Sequence, residues 1–442
     1  MDTNDLITST HPGVVQSGSP GKRLLPGLLL AGMSLGTAWA IRGQFGHEQG
    51  AAWAGSIGAL SVVLIAKRAD WYNKAFKVTL AAALGWGIGG IMSYGKIVGF
   101  GRATDFGNVY YGLMMLFVVG GLHGFLGGGL FGLALSDSPA RRVKWHQLII
   151  ELVVGALLLY FFLVEQWGWL MTPPRSELWA ACLGMALALS WYMARHNQSS
   201  AFRVAIFGGL GGGFGFAFGN FLQVLGNAAA IPFNFWNVME YSIGFFGGVG
   251  MAYGTFTSLW PTATTDQVKR NSILFPLLML ALVIPFVVWE QSFERKRLME
   301  TFTPLLSSDA GPVSQTVQLL VMALVLVTAG IWIRKYYAEQ ASLSYTGIRL
   351  FFLSHFSLYT LLSLLITGAF LSPYRPEQYI YLVNLLIIGL LIGKARHGFS
   401  PHGIKAGKWA TGLAIVVIFI AILAMILINS HEEMTGAQRR FE

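Results

Sequence analysis

The sequence predicts an all-α polytopic integral membrane protein, and three observations carry that reading. Hydrophobic residues fill 54% of the 442 positions and charged residues 11%, too few to cover a water-soluble surface. Apolar runs of about 18 or more residues recur along the chain, each long enough to cross a hydrocarbon core of roughly 30 Å. The short alternating strands of a membrane β-barrel are not seen.

Thirteen spans follow in order: 24–41, 50–66, 77–95, 108–135, 147–167, 177–194, 204–222, 236–260, 273–290, 315–334, 348–371, 378–393 and 409–429. Residues 1–21 are polar and rich in Ser, Thr, Gly and Pro, the composition of a disordered cytoplasmic tail. Residues 22–66 form an N-terminal hairpin, 345–429 the C-terminal helices, and 430–442 a polar tail. Lys22 and Arg23 before the first run, with Ala38-Trp39-Ala40 near its end, also fit a cleaved signal peptide. The small-residue pattern that this run shares with later spans favours a retained helix.

Between these termini the chain carries an internal repeat. Residues 155–166 read "GALLLYFFLVEQ" and residues 280–291 read "LALVIPFVVWEQ". Apolar matches come cheaply in membrane helices, but a shared terminal Glu-Gln does not. A glycine-rich hairpin precedes each copy, and a further span containing "MAL" follows each. Two parallel four-helix units, 75–195 and 200–334, are expected, as in several transporter folds.

Small residues recur every fourth position. Gly120, Gly124, Gly128 and Gly132 do so in the fourth span, and Gly211, Gly215 and Gly219 in the seventh. Gly32, Gly36 and Ala40 line the first span, Ala51, Gly55 and Ala59 the second, Gly85, Gly89 and Ser93 the third, and Gly244, Gly248 and Ala252 the eighth. This spacing puts each set on one helix face and lets backbones approach closely. Spans 1–4, 7 and 8 should therefore form a tight inner bundle. The fifth, sixth and ninth to thirteenth, rich in Leu, Ile and Phe, should lie outside it.

The net charge of +10 orients the chain and does not signal nucleic acid. Lys22, Arg23, Lys67, Arg68, Arg141, Arg142, Lys269, Arg270, Arg396 and Lys405 fall on one set of alternate loops. By the positive-inside rule that side is cytoplasmic. The N-terminus is then cytoplasmic and the C-terminus periplasmic, in a bacterial inner membrane. A single cysteine, Cys182, excludes an intrachain disulfide and a cysteine-based metal centre.

The candidate site lies on the outer side. The first turn, "RGQFGHEQG", holds Arg42, Gln44, His47, Glu48 and Gln49. The second holds Lys96, Arg102, Asp105 and Asn108, and the third Asn220, Gln223, Asn237 and Glu240. If the bundle is close-packed, the three turns meet at one polar mouth. Each charge also has a structural reading, since acids suit helix starts and cations helix ends. Glu165-Gln166 and Glu290-Gln291 sit at matching repeat positions, where an acid faces the wrong end of the helix dipole. They are read as a pair that binds a solute or ion, or as groups solvated at the interface. His123 lies near mid-membrane, either bonded to a neighbouring helix or acting as a proton relay. His355 is open between the same roles. Glu151, one turn inside the fifth span, reads as structural.

His47-Glu48 lacks a second histidine at helical spacing, so no zinc-protease pattern exists. Neither a nucleophile elbow nor a P-loop is present. No cofactor and no metal are expected. The function expected is a transporter or channel for a small polar solute: a sugar, a sugar derivative or a small organic anion. The alternatives are a membrane-embedded enzyme acting on a lipid-linked or glycan substrate, with His47 and Glu48 or the glutamate pair as acid and base, and a membrane scaffold subunit. The expected partners are the lipid bilayer and the solute, with coupling to protons or sodium and assembly as a homo-oligomer.

Overall fold

The computed structural model describes residues 20–139, 141–261, 270–372, 375–395, 399 and 406–441. Most of the N-terminal tail, and Lys269, Arg396 and Lys405, lie outside the described residues.

The described chain is all-helical, with one isolated bridge, Ser138 to Arg141, as its β-type pairing. The elements are α1 (Pro20–Arg42), α2 (Glu48–Ala66), α3 (Ala69–Tyr72), α4 (Ala75–Gly89), α5 (Gly95–Phe100), α6 (Phe106–Ser136), α7 (Trp145–Tyr160), α8 (Trp179–Arg195), α9 (Ser199–Ala228), α10 (Phe235–Phe256), α11 (Arg270–Leu278), α12 (Ile284–Ser292), α13 (Arg295–Leu306), α14 (Ala310–Ile333), α15 (Tyr345–Ile366), α16 (Pro376–Leu391) and α17 (Ala406–Ile428). Wider π turns extend α7 over Phe161–Gln166, join α11 to α12 over Met279–Val283 and extend α14 over Arg334–Ala338. Among the described residues, 9 helices are long and apolar enough to cross a membrane. They are α1, α2, α6, α7, α9, the α11–α12 unit, α14, α15 and α17. Helices α4 and α16 are apolar but shorter.

Six helices close a ring. Helix α1 packs on α2, α2 on α4, α4 on α6, α6 on α9, α9 on α10, and α10 back on α1. The small residues are at the contacts. A Cβ at Gly120 would meet the Gly212 carbonyl, and one at Gly124 the Gly208 carbonyl. Further along the same face, a Cβ at Gly128 would lie 2.7 Å from the Val204 carbonyl and one at Gly132 2.8 Å from Ala201 Cα. Backbone-to-backbone approach of this kind lets van der Waals packing hold helices together where water cannot drive them.

Trp86 of α4 fills the ring's interior and is fully buried. A Cβ added to Gly55 of α2 would lie 2.6 Å from its Cβ, and one added to Gly247 of α10 2.8 Å from the tip of its indole. Gly127 of α6 faces the indole nitrogen.

The other helices surround this ring unequally. Helices α7, α14 and α17 expose rows of large apolar side chains, such as Ile149, Ile150, Val153 and Leu157 on α7. Acyl chains are the natural solvent for such faces. Helix α15 departs from the outer position expected for it. It packs on α2, where Tyr359 donates to the Gly50 carbonyl at 2.9 Å and His355 Nε2 lies 2.8 Å from Ser56 Oγ. The α7–α8 pair also has a contact the spacing did not reveal: a Cβ on Gly155 would lie 2.6 Å from the Gly184 carbonyl.

Candidate functional site

Three turns converge at one end of the ring. Arg42 ends α1, Tyr94 follows α4, and Glu240 lies in the second turn of α10. Arg42 Nη2 donates to Glu240 Oε2 at 2.6 Å and to the Tyr94 hydroxyl at 2.5 Å. The Tyr94 hydroxyl donates to Glu240 Oε1 at 2.8 Å. Arg42 and Glu240 are each 1% exposed. The triangle is thus a buried ion pair with a phenol bridging it. The guanidinium also lies 4.9 Å from the Trp39 ring centroid, a distance that adds cation–π attraction.

His47 extends the cluster outward. A guanidinium only donates, so the 3.0 Å contact from Arg42 Nη1 makes His47 Nδ1 an acceptor and puts the ring proton on Nε2. Partial burial of the ring, and then the Arg42 charge, hold this imidazole below the usual histidine range.

Above the cluster opens a cleft of about 350 Å³, lined by His47, Glu48, Ser93, Tyr94, Arg175 and Trp236 among others. Arg175 is exposed and, among the described residues, its guanidinium has no ion pair. The loop that carries it is pinned by the buried Glu177. That carboxylate accepts from the Met171 N–H, the Thr172 N–H and Trp179 Nε1, each at 2.7 Å. Trp236 stacks on Tyr94 at a centroid distance of 6.4 Å. The cleft thus combines a cation (Arg175) and a carboxylate (Glu48) that make no ion pair among the described residues, with hydroxyls and an aromatic face. Hydroxyl-rich and carboxylate-bearing solutes match such a lining.

Inward from the cluster the way is closed by rings. Trp39 meets Trp86 at 4.9 Å and His123 at 5.4 Å, both edge-on. His123 Nδ1 donates to the Val119 carbonyl at 3.0 Å, one turn back on its own helix. Among the described residues no hydrogen bond joins it to Glu240, so the relay reading gains no connection. The indole nitrogens of Trp39 and Trp86 are buried without partners among the described residues.

The remaining sequence-selected residues divide. Asn220 and Gln223 are buried beside the second turn. Asn220 Nδ2 donates to Gln223 Oε1 at 3.1 Å and reaches the Val98 carbonyl at 3.4 Å. Gln44 gives its carbonyl to Arg297 at 2.8 Å. Gln49 Nε2 donates to Gln291 Oε1 at 2.6 Å, which ties the first turn to α12.

Lys96, Arg102 and Asp105 face elsewhere. Lys96 donates to Gln438 at 3.2 Å and Arg102 to the Thr435 carbonyl at 3.1 Å, both in the segment after α17. Asp105 caps α6, accepting from the Asn108 N–H and its side-chain amide, each at 2.8 Å. The second turn therefore meets the first through Tyr94, and the third through Tyr94 and the Val98 carbonyl, but not through its charges.

Glu165 and Glu290 do not form the expected pair. Glu165 and Gln166 are exposed on the π turn beyond α7, whose neighbour is α8. Glu290 is exposed on α12, which packs on α2 and α14. Among the described residues neither carboxylate has a hydrogen bond or ion pair. The shared Glu-Gln ending of the two apolar runs does not place the two carboxylates in one cavity.

Sequence reasoning passed over Tyr94 and Trp236, whose residue types are common near membrane interfaces, and read Ser93 only as part of a packing face. Arg175 had a usable signal. It is a cation in a loop that the charge bias would place outside, where cations are disfavoured. No protein-family model, curated protein or solved structure matches this chain.

Proposed function

We propose that the protein is a multi-pass transporter or channel of a bacterial inner membrane, taking a small polar solute such as a sugar, a sugar derivative or a small organic anion. The carrying observation is the buried Arg42–Tyr94–Glu240 triangle at the floor of a polar cleft. Ionisable groups at membrane depth are costly and usually mark a pathway. Three separate turns converge to build this one, and the ring of close-packed helices beneath it is a path closed by Trp39, Trp86 and His123.

On this reading the shorter or more polar helices α4, α8, α10 and α16 cross as well, which gives thirteen spans. The units 75–195 and 200–334 are the two copies of a repeat, and the cleft opens to the periplasm. Solute enters between Arg175 and Trp236 and meets the triangle. Movement of the aromatic plug then admits it to the ring.

Reconstituted protein tests the proposal. Vesicles containing it should take up one class among labelled sugars, sugar acids and small organic anions. Arg175→Gln and Trp236→Ala should reduce that uptake at least tenfold without lowering thermal stability. Uptake of none of these classes, with no thermal shift from any of them, would refute it.

A further inference from the structure

A second cavity lies on the other side of the first turns of α10. It holds about 320 Å³ between α10 and α16, and its lining includes Asn237, Tyr241, Glu377, Tyr381 and Asn384. Glu377 is 5% exposed, Asn237 6% and Tyr381 4%. Such burial is unusual for a carboxylate unless it is paired.

Among the described residues Glu377 has no cation partner. Among the described residues it makes no hydrogen bond and no ion pair. Arg375, two positions earlier, is exposed and is not among the ion pairs of the described residues. Its place in the first turn of α16 suits an acid, but a dipole alone does not offset the burial of a full charge.

The rest of the lining is also unsatisfied. Asn237 Nδ2 and the Tyr381 hydroxyl are buried without partners among the described residues. Asn384 donates to Thr37 Oγ1 at 3.1 Å, which leaves its carbonyl oxygen uncommitted. Tyr241 and Tyr381 add aromatic surface.

We propose that this cavity binds a small organic ammonium group, with Glu377 as its counter-ion. The carboxylate supplies the opposite charge, and the amide oxygens of Asn237 and Asn384 accept the remaining ammonium protons. The tyrosine faces attract the cation through their π systems. The unpartnered donors, Asn237 Nδ2 and the Tyr381 hydroxyl, suit an oxygen on the same ligand, as in an amino alcohol. Volume argues against a bare metal cation: the cavity lies at the lower end of the roughly 300–1,000 Å³ range of small-molecule sites. The inference does not rest on the transport reading, because none of these residues belongs to the Arg42 cleft.

An amino alcohol reaches such a site free in solution or as a lipid headgroup, and two arms separate the sources. In the first, ethanolamine is titrated into the detergent-purified full chain, with potassium chloride at equal ionic strength as control. In the second, phosphatidylethanolamine or phosphatidylglycerol is added in bicelles. A rise in melting temperature of about 2 °C or more with ethanolamine assigns a soluble amine. The same rise with phosphatidylethanolamine alone, and not with phosphatidylglycerol, assigns the headgroup.

Either rise should vanish in Glu377→Gln and weaken about tenfold in apparent affinity in Tyr381→Phe. Should Glu377→Gln fail to fold, Tyr381→Phe and Asn237→Leu carry the test. Unchanged affinity in both overturns the proposal. So does an equal rise in Glu377→Gln, an equal rise with potassium chloride, or no rise in either arm.

Discussion

The ring and the helices outside it solve different problems with the same kinds of residue. In the six-helix ring a glutamate, Glu240, is buried and shares its two oxygens between Arg42 and Tyr94. On the outer helices Glu165 and Glu290 sit exposed at helix ends with no partner among the described residues. Glycines differ likewise. Gly124 leaves no room for a Cβ against the Gly208 carbonyl, whereas Gly330 on α14 has open space around it. Of the apolar window of α2, 94% is buried, and of that of α17, 22%. Placement in the ring, not residue type, separates the buried, partnered groups from the exposed ones.

Substitutions should divide along that line. The largest effect belongs to Glu240→Gln, which strands the Arg42 charge in the interior. A loss of about 3–5 kcal/mol is expected, read as the unfolding midpoint in detergent. Because the two positions are coupled, Arg42→Gln in the same chain should recover part of it. Next comes Gly124→Leu, which forces α6 off α9 and should cost about 3 kcal/mol. Assembly at wild-type stability would show that the close approach of these backbones is not needed.

Outside the ring the expectation reverses. Glu290→Gln, Glu165→Gln and the two together should change stability by no more than about 0.5 kcal/mol and leave uptake intact. A joint loss of uptake would restore the pair that the geometry separates. The smallest effect should come from His47. Its folded value is depressed, so the unfolded chain takes up a proton first as pH falls. Stability should decline as pH drops from the unfolded value of about 6.5 toward the folded one. His47→Gln should flatten that slope in a series of melting curves.

The sequence made the helical class legible because hydrocarbon thickness imposes a length on every span. The small-residue faces of the ring were legible because a four-residue spacing is a geometric statement. Arg42, His47, Asn220 and Glu240 could be nominated because polar groups are conspicuous in an apolar chain. What joins them was not. The bond from Arg42 to Glu240 spans 198 residues and depends on α10 returning to α1, which no local pattern encodes. Tyr94 stayed hidden because tyrosine near a membrane boundary is ordinary. Lys96 and Arg102 looked like mouth residues until the segment beyond α17 accounted for them.

That segment constrains the timing of assembly. Lys96 and Gln438 are 342 residues apart, and Asn108 Oδ1 accepts from the Arg440 N–H at 2.6 Å. A ribosome therefore adds at least 332 further residues before α5 and the start of α6 acquire these neighbours. Until then the nascent protein carries Lys96, Arg102 and Asn108 with these bonds unmade. A reporter fused directly after α17 in place of residues 431–441 would prolong that immature state.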